Sequence, residues 1–323
     1  SASNTFFAQG GLAAVFGKGD SFKQHVADSL KAGDGLCYTK AVEVLVTNAP
    51  GMIDWVKEQG VLFDSSLGKE AVHSQRRIVH SGDSTGETVS LGLLDKVREE
   101  KNITLLEHHF AVDLLVDDGR CYGSVVVKGR SIQTIVAPHT VLASGGVGSV
   151  FLRTCNPSLA TGDGIGLACR AGVTLMDMEF MQFHPTGFFE DSPAFLISET
   201  LRGEGGVLVN GDGERFMGRY HTDKEMAPRD VVARACRAEI EEGNLDYVYL
   251  DVTHLGKQFL KERFPRIFKN CLTHGIDITQ DKIPVSPTAH YLCGGIYVDL
   301  FGRTSLNGLY ALGEVSCSGA HGA

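Results

Sequence analysis

The fold is decided by the stretch Thr140-Val-Leu-Ala-Ser-Gly-Gly146. It begins as a short apolar run typical of a strand and ends in two adjacent glycines. Downstream, Gly162-Asp163-Gly164 introduces a helical pattern over residues 165–171. Strand, glycine turn and helix in this order are typical of α/β nucleotide-binding folds. The sequence therefore predicts an α/β domain whose backbone approaches a ligand closely at these glycines.

The residues before this stretch predict two helices and a small β-meander. Asp20 or Ser21 is suited to cap a helix that ends at Gly33, and residues 41–60 place apolar side chains at helical spacing. The chain then changes to short β-prone runs, with a hairpin signal at Asp118-Gly119. We expect strands at residues 103–106, 112–116, 123–127 and 132–136.

The residues after the stretch predict a second domain. From about Met178 the pattern passes through a hairpin centred on Gly211-Asp212-Gly213 to a helix whose first turn contains Pro228. Residues 308–312 form a last strand-like run in the style of the first domain. We therefore expect residues 179–292 to form an α+β domain, inserted into a discontinuous domain of residues 1–178 and 293–323.

Composition argues against several classes of partner. The chain has 323 residues, 43% of them hydrophobic, and a net charge of -9, whereas nucleic acids and anionic membranes need a basic surface. It contains no run of eighteen apolar residues and no signal-peptide pattern, so we expect a soluble protein with no membrane partner. The eight cysteines include no C-x-x-C pair, so no metal site is indicated.

One group of residues could hold a phosphate-containing ligand. Glycine backbone can approach such a ligand because no Cβ intervenes. The candidate glycines are Gly10, Gly11, Gly145 and Gly146. Asp163 and Glu314 sit at glycine turns, where a carboxylate could accept hydrogen bonds from sugar hydroxyls. The alternatives are that the glycines are plain turns and that Asp163 is a helix N-cap.

A second group is cationic and could hold an anion. It comprises His184, Arg202, Arg229 and His290. Arg229 follows Pro228 at a predicted helix start, where a guanidinium can clamp an anion; the alternative is a salt bridge to Asp230. Glu199 lies three residues before Arg202, so the two form either an ordinary ion pair or a proton relay.

Motifs across nearly the whole chain carry a family resemblance. They are residues 4–11 (NTFFAQGG), 73–80 (HSQRRIVH), 83–86 (DSTG), 182–186 (QFHPT), 201–205 (LRGEG), 227–234 (APRDVVAR), 290–295 (HYLCGG), 302–304 (GRT) and 313–316 (GEVS). In this order and spacing they resemble the L-aspartate oxidase family, within the fumarate reductase and succinate dehydrogenase flavoprotein superfamily. The resemblance implies a Rossmann-like FAD-binding domain with an inserted capping domain.

The resemblance also assigns roles to individual residues. Those that would contact FAD, held non-covalently, are Asn4, Thr5, Phe6, Phe7, Ala8, Gln9, Gly10, Gly11, Gly145, Gly146, Asp163 and Glu314. Arg229 would act as acid/base and bind a substrate carboxylate, His184 and His290 would grip the dicarboxylate, and Glu70 would recognise the substrate amine. Gln182 and Ser198 would complete the pocket, and Glu199 with Arg202 would transfer protons.

The chain departs from the family pattern in three places. We expect an upstream strand with the G-x-G-x-x-G turn, so that the domain lacks its N-terminal βαβ start, and a downstream Asn-Arg after His321-Gly-Ala323. On this interpretation the chain is an interior fragment that neither holds FAD tightly nor turns over substrate. The third departure is at Lys69-Glu70-Ala71-Val72, where the family usually has glycines after the glutamate.

The implied activity is the oxidation of L-aspartate to iminoaspartate, with O2 or fumarate reoxidising the flavin, as the first step of NAD biosynthesis. Two alternatives are a fumarate reductase or succinate dehydrogenase flavoprotein subunit and a catalytically inactive remnant. Those membrane-linked relatives usually carry a histidine for covalent flavin attachment where Phe6 and Phe7 stand here. The pathway implies quinolinate synthase as a partner and a cytoplasmic or, in a plant or alga, plastid location.

Overall fold

The computed structural model describes residues 3–69, 73–82 and 84–322. Its helices are α1 (Asn4–Phe7), α2 (Phe22–Ala32), α3 (Thr39–Glu58), α4 (Thr85–Glu99), α5 (Asp163–Arg170), α6 (Glu199–Gly203), α7 (Met217–Tyr220), α8 (Arg229–Glu242), α9 (Lys257–Arg263) and α10 (Pro265–Thr273). Its strands are β1 (Leu12–Ala13), β2 (Ile78–Val79), β3 (Phe110–Asp117), β4 (Arg120–Lys128), β5 (Ser131–Val136), β6 (Thr140–Leu142), β7 (Leu175–Met176), β8 (Met181–Phe188), β9 (Val207–Val209), β10 (Val248–Asp251), β11 (Ile283–Leu292), β12 (Gly295–Tyr297), β13 (Leu309–Ala311) and β14 (Ser316–Cys317).

The chain divides into two compact units. Unit 1 comprises Ser1–Val147, Leu159–Met181 and Leu292–Ala323, and unit 2 comprises Gly148–Ser158 and Gln182–Tyr291. Mixed sheets and helices alternate along the chain, so the α/β class expected from the sequence is confirmed.

In unit 1, the strand that decides the fold lies in a parallel pair. β6 pairs with β13, with Thr140 opposite Leu309 and Leu142 opposite Ala311. Helix α5 follows the glycine turn and buries Ile165 and Ala168 in the core cluster that also contains Leu142 and Leu309. Both strands therefore end at the same edge of the pair, as parallel strands must.

The other sheets of unit 1 are small. β3, β4 and β5 form an antiparallel meander, and β12 lies between the parallel β14 and the antiparallel β7. The predicted turn at Asp118-Gly119 joins β3 to β4, with Asp117 opposite Arg120. The strand expected at residues 103–106 is wrong: these residues are irregular, and Ile103, Leu105 and Leu106 are about half exposed. A β-prone run without a partner ladder leaves its backbone to water.

Helices α2 and α3 are the two helices that the sequence predicted before the meander. Ser21 is the N-cap of α2, where its Oγ accepts a hydrogen bond from the N–H of Gln24 at 3.2 Å, and Gly33 ends the helix. Helix α3 covers most of the predicted 41–60 segment and buries Val42, Val46 and Ile53. The apolar spacing therefore identified the inward face correctly.

Unit 2 is a four-stranded sheet with strand order β8-β11-β10-β9, packed against helices. Its hydrophobic core cluster includes Phe188, Leu201, Phe216 and Leu250, all without exposed area. The predicted hairpin near Gly211 is present as a bridge between Val209 and Arg215. Pro228 is the N-cap of α8 and not a first-turn residue: its ψ of 151° is extended, so Arg229 is the first helical residue.

Among the described residues, no helix combines the length and the apolar character that crossing a bilayer requires.

Candidate functional site

The cationic residues of unit 2 meet around one carboxylate. Oε1 of Glu199 accepts a hydrogen bond from Nε of Arg229 at 2.5 Å and another from Nη2 of Arg202 at 3.1 Å. The predicted pairing of Glu199 with Arg202 is therefore present. The alternative partner of Arg229 is absent, because Asp230 pairs with Arg234 at 2.7 Å. One glutamate holds two guanidinium groups together, which leaves the cluster with excess positive charge.

Exposure decreases along this cluster. The side chain of Arg229 is 33% exposed, that of Glu199 17% and that of Arg202 3%. Burial lowers the pKa of Arg202, an effect that the nearby Glu199 carboxylate opposes. Nη1 of Arg202 donates to the carbonyl of Glu225 at 2.5 Å, while its buried Nε has no partner among the described residues. Arg229 is thus the accessible member and Arg202 the anchored one.

Glu225, which the sequence did not single out, supports this anchor. It is 3% exposed, and its carboxylate receives Nε of Arg215 at 2.9 Å and the N–H of Leu208 at 3.2 Å. Burial raises its pKa, but the hydrogen bonds from Arg215 and from backbone more than offset this, and the pKa lies below its ordinary value. The carboxylate therefore stays ionised and fixes the backbone whose carbonyl Arg202 contacts.

Gln182 and Ser198 occupy two further positions near Arg229 and Glu199. Oε1 of Gln182 accepts a hydrogen bond from Nη1 of Arg229 at 3.0 Å. Ser198 is the N-cap of α6, with its Oγ accepting from the N–H of Thr200 at 3.3 Å. Gln182 therefore orients the guanidinium, whereas Ser198 starts the helix that carries Glu199 and Arg202. Glu70 lies outside the described residues.

His184 and His290 contact each other edge to face, with ring centroids 5.6 Å apart. Nδ1 of His184 accepts a hydrogen bond from the backbone N–H of Thr186 at 3.3 Å, and Nδ1 of His290 lies 3.1 Å from Sγ of Cys155. β8 carries the first histidine and β11 the second, and the two strands are neighbours in the sheet. The structure therefore brings together two residues that are separated by more than a hundred positions in sequence.

Both histidines are neutral at physiological pH, contrary to their grouping with the cations. Burial lowers the pKa of His184 well below its usual value, and the positive charge of Arg229 lowers it further. Burial lowers the pKa of His290 to about 4, again assisted by Arg229. Arg229 and Arg202 thus supply the positive charge, while the imidazoles are neutral hydrogen-bonding groups.

Three of the residues that the resemblance assigns to FAD, Gly145, Gly146 and Glu314, follow the carboxyl ends of β6 and β13. Ala143, Ser144, Leu312 and Gly313 are exposed there. Gly145 has φ +77°, and a Cβ at this position would meet no atom within 4 Å. The carboxyl end of parallel strands is where α/β folds bind ligands. An exposed edge with open space above a glycine fits a bulky cofactor such as FAD.

Glu314 is fixed at this edge. Oε1 accepts the N–H of Leu292 at 2.9 Å, and Oε2 accepts Nδ2 of Asn4 at 3.0 Å. A Cβ on Gly146 would lie 2.4 Å from Oε1 of Glu314, so this glycine is required by the carboxylate beside it. The structure thus connects three residues that the resemblance assigned to FAD.

The remaining predicted cofactor residues have local roles in this structure. Asp163 is not the N-cap of α5, a position held by Gly162, and its Oδ2 accepts the hydroxyl of Thr161 at 2.6 Å. Residues Asn4, Thr5, Phe6 and Phe7 form the single turn of α1, followed by Ala8, Gln9 and Gly10. Gly11 packs so closely on Val79 that a Cβ would lie 2.3 Å from its carbonyl oxygen. Packing against β2 is sufficient to explain that glycine.

Two residues that support His290 had no signal in the sequence. Nδ2 of Asn156 donates to the carbonyls of Ala289 and His290 at 3.2 and 3.0 Å, and Cys155 contacts the His290 ring. Neither lies within 130 residues of its partner, and no motif connects them.

Comparison with known proteins agrees with the family resemblance that the sequence motifs indicate. The family model described as FAD binding domain matches residues 1–323. The chain is 48% identical to L-aspartate oxidase 1 of Ralstonia nicotianae, over 98% of this chain and 63% of that protein. It is 46% identical to L-aspartate oxidase of Neisseria meningitidis, over 98% of this chain and 65% of that protein.

Solved structures show the same fold. A quinol fumarate reductase structure from E. coli matches with a TM-score of 0.92 and 35% identity, covering 99% of this chain and 59% of that chain. The predicted resemblance is therefore confirmed in both its sequence and its fold. The chain spans less than two thirds of the length of these relatives.

Proposed function

Because this chain belongs to the family of FAD binding domains, we propose that it serves the FAD-dependent oxidation of L-aspartate to iminoaspartate, the first step of de novo NAD biosynthesis. The observation that carries the proposal is the cluster in which Glu199 holds Arg229 and Arg202 beside two neutral histidines. Such a cluster suits a small dianion, because it offers positive charge together with several N–H donors.

Arg229 is the substrate-binding arginine in this proposal. Its hydrogen bonds to Glu199 and Gln182 use two of its five N–H donors, so the guanidinium is oriented and still able to bind a carboxylate. A planar guanidinium binds a carboxylate through two parallel hydrogen bonds, which also fixes the carboxylate's orientation. His184 and His290 add neutral donors for the second carboxylate.

Proton transfer is assigned to the same cluster. Arg229 reaches bulk solvent through its exposed edge, and Glu199 links it to the buried Arg202. A carboxylate between two guanidinium groups can accept a proton from one side and return it on the other. FAD, when bound, supplies the hydride acceptor for the Cα hydrogen.

The cofactor is held non-covalently and by unit 1 in this proposal. Support comes from Phe6 and Phe7, which stand where a covalent attachment histidine is usual, and from the open edge at Gly145. We assign FAD binding to residues 1–178 and 293–323, except for residues 148–158, which belong to unit 2, and a capping role to residues 179–292. O2 or fumarate is the acceptor, quinolinate synthase is a partner, and the location is cytoplasmic or plastid; these follow from the proposed activity.

A second candidate is a fumarate reductase or succinate dehydrogenase reaction, which the likeness to the E. coli enzyme favours. Anaerobic mixing of the FAD-loaded protein with each substrate separates the two. We expect L-aspartate to bleach the flavin absorbance and succinate to leave it unchanged. Bleaching by succinate alone would establish the second candidate instead.

Glu70 gives a sharper test of substrate identity. A carboxylate that recognises an ammonium group matters for L-aspartate and not for fumarate, which has no amine. Glu70→Gln should therefore raise the KM for L-aspartate about tenfold or more and leave fumarate reduction within about twofold. Equal effects on both substrates would remove Glu70 from amine recognition.

A further inference from the structure

The contact between Cys155 and His290 joins distant parts of the chain within unit 2. Sγ lies 3.1 Å from Nδ1 across 135 residues of sequence. A short parallel bridge between Thr154 and Ala289 builds the contact. In it, the N–H of Cys155 donates to the carbonyl of Ala289 at 3.1 Å, and the N–H of Ala289 donates to the carbonyl of Arg153 at 2.9 Å. Backbone pairing therefore fixes the thiol against the ring.

The Ala289 carbonyl and Nδ1 of His290 both lie near the thiol of Cys155. Sγ is 3.4 Å from the carbonyl oxygen of Ala289 and closer to Nδ1 of His290. That carbonyl already accepts the N–H of Cys155, the hydroxyl of Thr154 at 3.2 Å and Nδ2 of Asn156 at 3.2 Å. Three donors already share this carbonyl oxygen, so Nδ1 of His290, which is also closer to Sγ, is the better acceptor for the S–H.

A hydrogen bond to Nδ1 decides which ring nitrogen carries the proton. When Nδ1 accepts, the neutral imidazole carries its hydrogen on Nε2. His184 has the same arrangement, because its Nδ1 accepts the backbone N–H of Thr186. The low pKa that burial gives His290 keeps the ring neutral, so the tautomer matters. Both rings then present Nε2–H as a donor.

We propose that Cys155 is a positioning residue for substrate binding: its S–H holds His290 in the Nε2–H tautomer, which donates to one carboxylate of the dicarboxylate substrate. The inference rests on the proposed function only for the identity of the substrate. The thiol touches the ring and not the reacting atoms, so it acts through His290. In the other tautomer Nε2 would present a lone pair to an anion, which repels it.

Steady-state kinetics of two variants test this role. Cys155→Ala removes the donor and should raise the KM for L-aspartate about three- to tenfold, with kcat changed less than about twofold. Cys155→Ser keeps a hydroxyl donor and should restore the KM to within about twofold. Cys169→Ala, at an exposed position in unit 1, is the control and should match the wild type.

A role limited to packing predicts a different order of the variants. Serine would then be as poor as alanine or poorer, because it adds a polar group without adding volume. A KM for Cys155→Ala equal to that of the wild type, or a serine variant as impaired as alanine, overturns the inference.

An NMR spectrum of the protein with 15N-labelled histidine identifies the tautomer of the His290 ring without any substrate. The signal that disappears in His290→Asn is the one that belongs to this ring. We expect Nε2–H in the wild type and the serine variant and a mixture in the alanine variant. Nδ1–H in the wild type overturns the inference even when L-aspartate is oxidised. The expected spectra with no oxidation of L-aspartate contradict only the proposed substrate.

Discussion

Each unit contains one cluster in which arginines pair with carboxylates, and the two clusters differ in charge balance and exposure. In unit 1, Arg77 lies between two aspartates: Nε and Nη2 contact the carboxylate of Asp20 at 2.9 and 2.8 Å, and Nη1 contacts Asp28 at 2.7 Å. In unit 2, Glu199 lies between two arginines. The side chain of Arg77 is fully buried, whereas that of Arg229 is 33% exposed.

The two clusters differ in the sign of their excess charge and in whether guanidinium N–H donors remain available to a ligand. The first cluster has more carboxylates than guanidinium groups. Because these carboxylates surround its arginine, the cluster is not suited to bind an anion. The second has more guanidinium groups than carboxylates and keeps one of them accessible. A buried ion pair is therefore a structural feature in one case and a candidate binding site in the other. The following predictions are ordered from the largest expected effect to the smallest.

Removal of the accessible arginine should have the largest effect. Arg229→Leu should lower turnover of L-aspartate by about a thousandfold or more, because both carboxylate binding and proton transfer depend on it. An aspartate-dependent peroxide assay measures this loss. Arg234→Leu is the matched control on the same helix, since Arg234 pairs only with Asp230 among the described residues and its side chain is 70% exposed. If Arg229→Leu has a kcat/KM near that of the wild type, the cluster around Glu199 is not the substrate-binding one.

Removal of the enclosed arginine should affect stability instead. Arg77→Met leaves the buried Asp20 without its partner and should lower the free energy of unfolding by about 3–5 kcal/mol. Urea denaturation measures the change. Arg98→Met, which removes an exposed pair with Asp95, should cost less than about 1 kcal/mol. Equal losses for the two variants would show that the Arg77 cluster is not the structural one.

The histidines of unit 2 predict acid sensitivity. The pKa of His290 is about 4 in the folded protein and near 6.5 unfolded, so between these values the unfolded chain binds more protons. Stability should thus be intact above pH 6.5 and fall as pH drops toward 4, with His290 contributing about 3 kcal/mol of the loss.

Urea denaturation at pH 7 and pH 4 measures this dependence. The difference between the two should shrink in His290→Asn and stay unchanged in His254→Asn, a control at an exposed position of the same unit. An unchanged difference in the first variant would exclude His290 as its source.

The smallest effect is expected on the flavin side. Gly146→Ala places a Cβ against Oε1 of Glu314 and should displace that carboxylate, weakening FAD binding about tenfold. Titration of FAD fluorescence gives the dissociation constant. Gly166→Ala is the control, because its Cβ would meet only Nη1 of Arg170 at an ordinary 3.6 Å. If Gly146→Ala leaves the affinity for FAD unchanged, Glu314 does not contribute to FAD binding.

Helix ends and turns were predicted correctly where one or two residues determine the local geometry. Ser21 and Gly33 marked the ends of α2, and Asp118-Gly119 marked a hairpin, because capping and turn geometry depend on neighbours in sequence. The β-prone run at residues 103–106 predicted a strand that is not present. Strand formation needs a partner strand, which only the tertiary structure supplies.

The charges predicted for two histidines were wrong. The sequence grouped His184 and His290 with the arginines as cations, but burial beside Arg229 makes both neutral. No sequence pattern indicated that Glu199 bridges two arginines, since Arg229 lies 30 residues away from it. Burial and the approach of distant charges depend on the packing of β8, β11, α6 and α8 together.

By itself, the sequence determined the fold class, the family and the types of side chain available for binding an anion, because motifs and periodicity are local properties. Only the tertiary structure decided which arginine stays accessible, which histidines lose their charge and that Cys155 contacts His290. Ionisation and hydrogen bonding depend on desolvation and distance, and both are set by residues far apart in the chain.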